Sequence, residues 1–261
     1  MAGPDAVARP LALLERLGPD DPPTVSWSTV TAPALVVGRG VRPGEIDADW
    51  CARRGIPVLQ RRSGGGPVLW DGDLLGLDVV VPPGHPLADR DVTRAYAWLG
   101  EAVASGLTAL GAPVATVPLA EARRLQARHD TASLAAARAC FGGVSPFEVL
   151  GPDLRKCVGL AQARRADGTI FQCGIAVRFD ADALAHVLGR DDAEIAVIRD
   201  ALGERVVDLV DLVPGITAAE IVGAVEHALT DTLGVDLAPG RLRPDELDAQ
   251  SRIAATLGMP D

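Results

Sequence analysis

Lysine is almost absent from this 261-residue chain: of its 25 basic residues, 24 are arginine and one is lysine, Lys156. Arginine and lysine both serve as solvated surface charges, but they differ where a site needs a compact, flexible ammonium group. A lysine retained in so arginine-rich a chain is therefore a candidate functional residue. The alternative is that Lys156 is a surface charge without a role.

Other features are missing as well. The sequence has no run of about 18 uncharged apolar residues and no secretory signal, so we expect a cytoplasmic protein without a membrane span. Its cysteines lack CxxC spacing and nearby histidines, which argues against a disulfide framework or a metal site. They are Cys51, Cys140, Cys157 and Cys173. A net charge of −10 argues against a nucleic-acid-binding protein, because phosphate contacts need a basic face.

The composition that remains is that of a globular protein, with 48% hydrophobic and 23% charged residues. Apolar runs predict strands over 34–37, 56–61, 68–70, 74–81, 147–150, 155–164 and 170–179. Helical composition predicts helices over 9–17, 45–54, 91–110, 119–139, 181–202, 218–233 and 245–257. Strands cluster in the first and middle parts of the chain, which favours a mixed α+β sheet over a regular βαβ alternation.

A glycine-rich loop, Ser63-Gly64-Gly65-Gly66, follows one predicted strand and the pair Arg61-Arg62. Successive glycines allow positive φ angles and a close approach of the backbone to a ligand. Their N–H groups can form an anion-binding nest, and an adjacent arginine can add a bidentate contact. The alternative is a flexible turn between strands. The motif matches neither the Walker A loop nor the GxGxxG turn.

The lone lysine begins a strand-like segment that leads to Asp167-Gly168, a pair typical of a two-residue hairpin loop. The predicted register pairs Gln162 with Cys173 and Ala161 with Gly174. One predicted face holds Lys156, Val158, Leu160, Gln162 and Cys173, and the other holds Gly159, Ala161 and Ala163. Lys156 and Gln162 would lie roughly 20 Å apart, at opposite ends of a long ligand. The alternative is an amphipathic hairpin with a solvated lysine.

Together, the two segments resemble the lipoate–protein ligase A family, within the biotin and lipoate ligase superfamily. The resemblance covers about 33–179 and continues weakly through the C-terminal helices. Its most specific part is the combination of Arg61-x-Ser-Gly-Gly-Gly with Lys156-x-x-Gly-x-Ala-Gln, in this order and at this separation. Cys140-Phe141 resembles a segment common in the octanoyltransferase branch, which is the close alternative.

The resemblance implies an α+β fold, with a mixed, largely antiparallel sheet flanked by helices and carrying a long cleft. We expect one catalytic domain over 1–261, with its core at 33–179 and helices at 181–261. The accessory domain of some ligases is not expected, which makes a separate accessory chain a candidate partner.

The activity implied is an ATP-dependent ligation that needs Mg²⁺. Lipoate or octanoate becomes an acyl-adenylate, and the acyl group passes to a lysine of a lipoyl acceptor domain. The acceptor would be a 2-oxoacid dehydrogenase E2 subunit or the glycine cleavage H protein. No residues can be named as metal ligands.

By the same resemblance, Lys156 is the catalytic residue, neutralising the carboxylate and α-phosphate as charge builds during adenylation. The residues expected to bind substrate or adenylate lie in the glycine loop, the strand after it and the hairpin. They are Arg61, Ser63, Gly64, Gly65, Gly66, Val68, Asp71, Gly159, Ala161, Cys173 and Gly174.

Three departures from the family bear on this expectation. Trp70-Asp71 and Cys173-Gly174 stand where His-Asp and His-Gly are common, and Pro67 replaces a small residue. They leave open the acyl specificity and the class of reaction. The rival is a cysteine-dependent octanoyl- or lipoyl-transferase acting from acyl carrier protein. Cys173 would be its first candidate nucleophile, ahead of Cys140 and Cys157. A non-catalytic acyl-binding protein is the third class.

Overall fold

The computed structural model describes residues 1–259, and its strands form two sheets. The strands are β1 (Thr24–Ser28), β2 (Ala34–Val37), β3 (Val58–Gln60), β4 (Val68–Trp70), β5 (Leu74–Val81), β6 (Ala115–Thr116), β7 (Val149–Leu150), β8 (Lys156–Arg165) and β9 (Gly168–Ala176). The large sheet is antiparallel throughout, in the order β1-β5-β9-β8-β7-β6. The small sheet has the order β3-β2-β4, with β2 parallel to β3 and antiparallel to β4.

Helices surround both sheets. They are α1 (Gly3–Arg16), α2 (Ala48–Arg53), α3 (Ala97–Ala109), α4 (Leu119–Gln126), α5 (Thr131–Ala136), α6 (Ala181–Leu188), α7 (Asp192–Gly203), α8 (Leu209–Leu212), α9 (Ala218–Leu233) and α10 (Pro244–Ala254). Two 3₁₀ turns, Pro43–Glu45 and Pro152–Leu154, complete the elements. Within residues 1–259, no helix is both long and apolar enough to cross a membrane. The expected α+β fold, with a mixed, largely antiparallel sheet flanked by helices, is confirmed.

The two faces of the large sheet have different roles. One face carries large apolar side chains such as Leu77, Phe171 and Ile175, which pack with α3 and α9 in the main core. The other face carries Gly76, Gly159 and Gly174 and is turned towards the small sheet and α1. Because strand side chains alternate between faces, this alternation of large and absent side chains leaves a cleft on one side of the sheet only.

Several predicted elements have different limits in the structure. The helix predicted over 119–139 is broken before α5, where the Asp130 carboxylate caps the new helix by accepting from the Ser133 N–H at 2.8 Å. The helix predicted over 181–202 is broken at Gly189, and Asp191 caps α7 in the same way. Strand β1 was not predicted, because its alternation is short and follows a proline-rich loop.

The predicted hairpin between β8 and β9 is present, but its register differs by two residues. Arg165 pairs with Gly168, so Ala166 and Asp167 form the loop, and Leu160 rather than Gln162 pairs with Cys173. Gly168 has φ +140° and lies inside the ladder against β5. The glycine thus serves a close strand contact instead of the turn. A shift of two keeps each side chain on its predicted face.

Lys156 is an exception, because it lies on the opposite sheet face from the one predicted for it. Val149 pairs with Val158 while Leu150 pairs with Lys156, so β8 has one extra residue, Cys157, at this point. A bulge of this kind reverses the alternation of faces. Lys156 therefore lies on the same face as Gly159.

Candidate active site

The cleft has a floor made of glycines. Gly159 of β8 pairs with Gly174 of β9, which pairs with Gly76 of β5, so three glycines lie in one row across the sheet. A Cβ added at Gly76 would lie 2.5 Å from a Trp70 ring carbon, and one added at Gly174 would lie 3.7 Å from Phe141. The two aromatic rings therefore lie against bare backbone, in space that side chains at these positions would otherwise occupy.

Most of the cleft wall is apolar. Its side chains from α1, β2, β4 and β5 are Val7, Val36, Val68 and Leu74, which lie near Trp70 and Phe141. Polar groups enter at a few points, namely Arg61, Asp78, Cys140 and Gln172. Such a wall suits an apolar chain held at a small number of polar positions.

The glycine loop borders this cleft and is fixed by Arg61, which is buried. The Arg61 guanidinium donates from Nη2 to the carbonyl oxygen of Gly64 at 2.8 Å and to that of Gly66 at 3.4 Å. Gly65 has φ +103°, and a side chain on Gly66 would collide with the carbonyl of Arg138. The triple glycine is therefore required by backbone conformation and by a close contact with the segment that precedes Cys140.

Ser63 begins a chain of hydrogen bonds across the cleft. Its hydroxyl donates to Oε1 of Gln172 at 2.6 Å, and Nε2 of Gln172 donates to Oδ1 of Asp78 at 3.1 Å. Burial raises the pKa of Asp78 to about 7, although the Gln172 hydrogen bond and the charge of Arg9 oppose the shift. A role for Asp78 in the site was not predicted, because it stands as a single acidic residue inside an apolar strand.

Cys140 places a thiol in the cleft. Its N–H donates to the carbonyl of Pro67 at 2.9 Å, which ties it to the glycine loop. Nη2 of Arg61 lies 3.5 Å from its sulfur. Arg138, two residues earlier, pairs with Glu194 at 2.6 Å and so anchors the segment to α7. The thiol thus sits beside a positive charge on a backbone held from both sides.

Lys156 is buried, with 1% of its side chain exposed. Its ammonium donates to the carbonyl of Cys140 at 2.9 Å, the carbonyl of Gly143 at 3.0 Å and Oε1 of Glu148 at 2.8 Å. All three protons are therefore used within the protein. The lysine lies next to the cleft floor, since a Cβ on Gly159 would be 3.4 Å from Nζ.

Glu148 is the functional residue that sequence reasoning missed. It is 2% exposed, and besides Lys156 it accepts from the N–H groups of Leu160 at 3.0 Å and Ser145 at 2.7 Å. The pair therefore ties the 140–148 segment to β8. The available signal was a single carboxylate in the strand-like run 147–150, close before the only lysine.

The other cysteines point elsewhere. Cys173 lies on the α3 and α9 face with Leu77 and Leu160, and burial raises the pKa of its thiol well above the usual range. Burial raises the pKa of Cys157 to about 12, and Cys51 lies on α2, buried in a separate core. The sequence ranked Cys173 first as a nucleophile, but only its backbone borders the cleft, and the geometry favours Cys140.

The structure brings most of the remaining predicted site residues together. Val68, Gly159, Ala161 and Gly174 line the cleft. Asp71 lies in the turn before β5, where it accepts from the Asp73 N–H at 3.0 Å, outside the cleft wall. Within residues 1–259, no three histidine, cysteine or acidic side chains are grouped to hold a metal ion.

Comparison with known proteins identifies the family to which this chain is similar. The model of the lipoyl protein ligase A/B catalytic domain matches residues 4–230. The octanoyltransferase LipM of Kyrpidia tusciae is 31% identical over 239 residues, covering 90% of this chain and 84% of the relative.

Solved structures share the fold. A bi-partite lipoate protein ligase from Thermoplasma acidophilum, studied with its E2 lipoyl domain, superposes with a TM-score of 0.77. It is 22% identical, over 97% of this chain and 87% of that one. A lipoate-protein ligase A bound with ATP gives a TM-score of 0.73 at 20% identity, over 97% and 89% of the two chains. The chain belongs to the lipoyl protein ligase A/B catalytic domain family.

Proposed function

We propose that this protein is an octanoyltransferase that carries the acyl group as a thioester on Cys140. The observation that carries the proposal is that Cys140 presents its thiol to an apolar cleft, 3.5 Å from the Arg61 guanidinium. The similarity to a curated octanoyltransferase supports it. Octanoyl transfer thus becomes the preferred function, in place of ATP-dependent ligation, which was the first expectation from the sequence.

In the first step, the Cys140 thiolate attacks the carbonyl carbon of an octanoyl thioester on acyl carrier protein. The new carbon–sulfur bond forms as the bond to the carrier sulfur breaks, and the carrier sulfur takes up the proton that the Cys140 thiol lost, so that it leaves as a thiol. Arg61 lies where its charge compensates the negative charge on the attacking sulfur. The apolar side chains of the cleft wall would contact the acyl chain.

In the second step, the ε-amine of an acceptor lysine attacks the Cys140 thioester. An amide bond forms as the bond from the acyl carbon to the Cys140 sulfur breaks, and one proton of the amine ends on that sulfur, which restores the thiol. We infer that the acceptor is a lipoyl domain, in an E2 subunit or an H protein, since a lipoate protein ligase of the same fold was studied with its E2 lipoyl domain.

In this structure, Lys156 contacts Cys140 through its main-chain carbonyl. Its ammonium holds the Cys140 carbonyl and is itself held by Glu148, so the buried pair fixes the backbone that carries the thiol. A direct contact with substrate would require one of its three hydrogen bonds to break.

The test is to incubate the protein with octanoyl-acyl carrier protein and measure its mass. We expect an octanoyl adduct that is absent in Cys140→Ser and unchanged in Cys173→Ser, the matched control on the other face of the sheet. Transfer to a lipoyl domain should follow the same pattern. An adduct that persists in Cys140→Ser and disappears in Cys173→Ser contradicts the proposal.

ATP-dependent ligation of lipoate or octanoate, with Mg²⁺, is the second candidate. It is favoured by the glycine loop and by a lysine beside the cleft floor, the two motifs that the ligase resemblance was built on. Adenylation would require Lys156 to leave Glu148 and meet the acyl carboxylate. Release of pyrophosphate from ATP on addition of either acid, retained in Cys140→Ser, would favour this activity.

A further inference from the structure

The cleft has a polar end that the proposed transfer reaction does not use. Asp78 lies at this end, 3% exposed, on the same sheet face as the glycine row. Its Oδ1 accepts one hydrogen bond, from Gln172, and in the described part of the chain no other hydrogen bond reaches this carboxyl. Nε2 of Gln172 likewise makes this one bond among residues 1–259, which leaves its second proton free.

A structural role explains only part of this arrangement. The bond from Ser63 to Gln172 is sufficient to tie the glycine loop to β9. Asp78 adds to that connection only an acceptor for Nε2 of Gln172. Burying a carboxyl group with so little hydrogen bonding costs free energy unless something else pairs with it.

No charged side chain among the described residues forms a hydrogen bond with Asp78. Arg9 of α1 is near enough to lower its pKa, but the hydrogen bond of its Nη1 goes to the carbonyl of Trp27 at 3.2 Å. With a pKa of about 7, the carboxyl exists in both forms near neutral pH. It can therefore donate a hydrogen bond as well as accept one.

The polar end belongs to the same cleft as the reactive thiol, since Cys140, Gln172 and Asp78 all line it. The glycine loop connects the two: its Ser63 donates to Gln172, and the carbonyl of Pro67 at its end accepts from the Cys140 N–H. An acyl chain anchored at Cys140 in this cleft would therefore lie near Asp78 and Gln172.

We propose that Asp78 and Gln172 form a subsite for a hydroxyl group carried on the acyl chain. This inference rests on the proposed thioester at Cys140 for the position of the chain. A plain octanoyl chain would leave the second amide proton of Gln172 and the second oxygen of Asp78 without a partner, whereas a hydroxyl can accept from the amide and donate to the carboxyl. The preferred substrate class is then a hydroxylated medium-chain acyl group.

Binding of free acids to the Cys140→Ala protein tests the subsite without any transfer. Isothermal titration would compare octanoate with 6-, 7- and 8-hydroxyoctanoate. We expect at least one hydroxy acid to bind about tenfold more tightly than octanoate, which is the value of one added hydrogen bond. Asp78→Leu should reverse this preference, and Asp78→Asn should retain part of it, because an amide can still pair with a hydroxyl.

Asp73→Asn, at an exposed position before β5, is the matched control and should leave the preference unchanged. Octanoate binding as tightly as every hydroxy acid overturns the subsite, as does a preference that Asp78→Leu and Asp78→Asn both leave intact. The comparison of the acids in the Cys140→Ala protein, together with Asp78→Asn, decides the matter even if Asp78→Leu fails to fold. Failure of transfer by wild-type protein, with the hydroxy acid preference present, would overturn the proposed function and leave the subsite standing.

Discussion

Neutralising Glu148 should destabilise the protein strongly, because it removes the only charge that pairs with the Lys156 ammonium in the described residues. The two side chains are 1% and 3% exposed and lie 2.8 Å apart. In Glu148→Gln the amide oxygen can still accept one hydrogen bond. The charge of Lys156 would nevertheless remain buried without a counter-charge.

The size of the effect follows from that burial. Removing one partner of a buried ion pair costs about 3–5 kcal/mol, and the remaining amide acceptor places the expected loss near about 3 kcal/mol. For a domain of this size, each kcal/mol lowers the unfolding temperature by about 2–4 °C, so the midpoint should fall by roughly 6–12 °C. Thermal and urea unfolding, followed by tryptophan fluorescence, measure both quantities.

Two further variants distinguish the loss of the ion pair from non-specific destabilisation by a substitution. Glu45→Gln breaks the exposed Arg42–Glu45 pair and should leave the unfolding midpoint unchanged. Lys156→Met combined with Glu148→Gln removes both charges but keeps an oxygen that accepts from a backbone N–H. This double variant should recover part of the lost stability, while octanoyl transfer stays low because the Cys140 carbonyl has lost its donor. If Glu148→Gln unfolds at the wild-type midpoint, the buried pair does not hold this segment and the reasoning fails.

Three other outcomes are expected. Lys156→Ala and Lys156→Arg should both lose acyl transfer, measured with a lipoyl domain. Alanine removes the ammonium, and the guanidinium of arginine cannot fit among the acceptors of a compact ammonium. Transfer equal to wild type in either variant would contradict the role of Lys156. Gly76→Ala should cost about 1–3 kcal/mol of unfolding free energy, because its Cβ would lie 2.5 Å from the Trp70 ring, whereas Gly223→Ala in the open should stabilise α9 by about 1 kcal/mol. The third outcome concerns pH. The pKa of Asp78 is about 7 in the folded state and about 3.9 in an unfolded chain, so the folded state binds this proton more tightly. The contribution of Asp78 to the free energy of unfolding is therefore fully present below pH 4 and is lost as the pH rises through 7. The wild type should lose on the order of 2–3 kcal/mol more than Asp78→Asn between pH 5 and 8 in urea unfolding, and equal losses would refute the burial argument.

The parts of the site that could be predicted are those encoded in local backbone needs. Triple glycine after Arg61 predicts a loop with unusual φ angles and close contacts, and Gly65 and Gly66 satisfy both. Strand alternation likewise predicted which side chains of the hairpin share a face. Both are properties of short segments, which a sequence displays directly.

The parts that could not be predicted depend on contacts between distant segments. The bulge at Cys157 is set by the pairing of β8 with the two-residue strand β7, and it moves Lys156 to the other face. Other contacts between distant segments decide that Cys173, paired with Leu77 of β5, faces the core and that Cys140, bonded to Pro67, borders the cleft. Nothing in the spacing of the cysteines distinguishes these two cases.

The lone lysine can now be explained by geometry as well as by resemblance. Its Nζ lies within 3.0 Å of two carbonyls and one carboxylate, and 5.2 Å from the centre of the Phe141 ring. The space is closed on another side by Gly159, where even a Cβ would lie 3.2 Å from the lysine Cε. A planar guanidinium is larger and spreads its donors in a fixed fork, so it cannot reach three converging acceptors in this volume. Arginine can replace lysine on the surface of this protein, but not at this position.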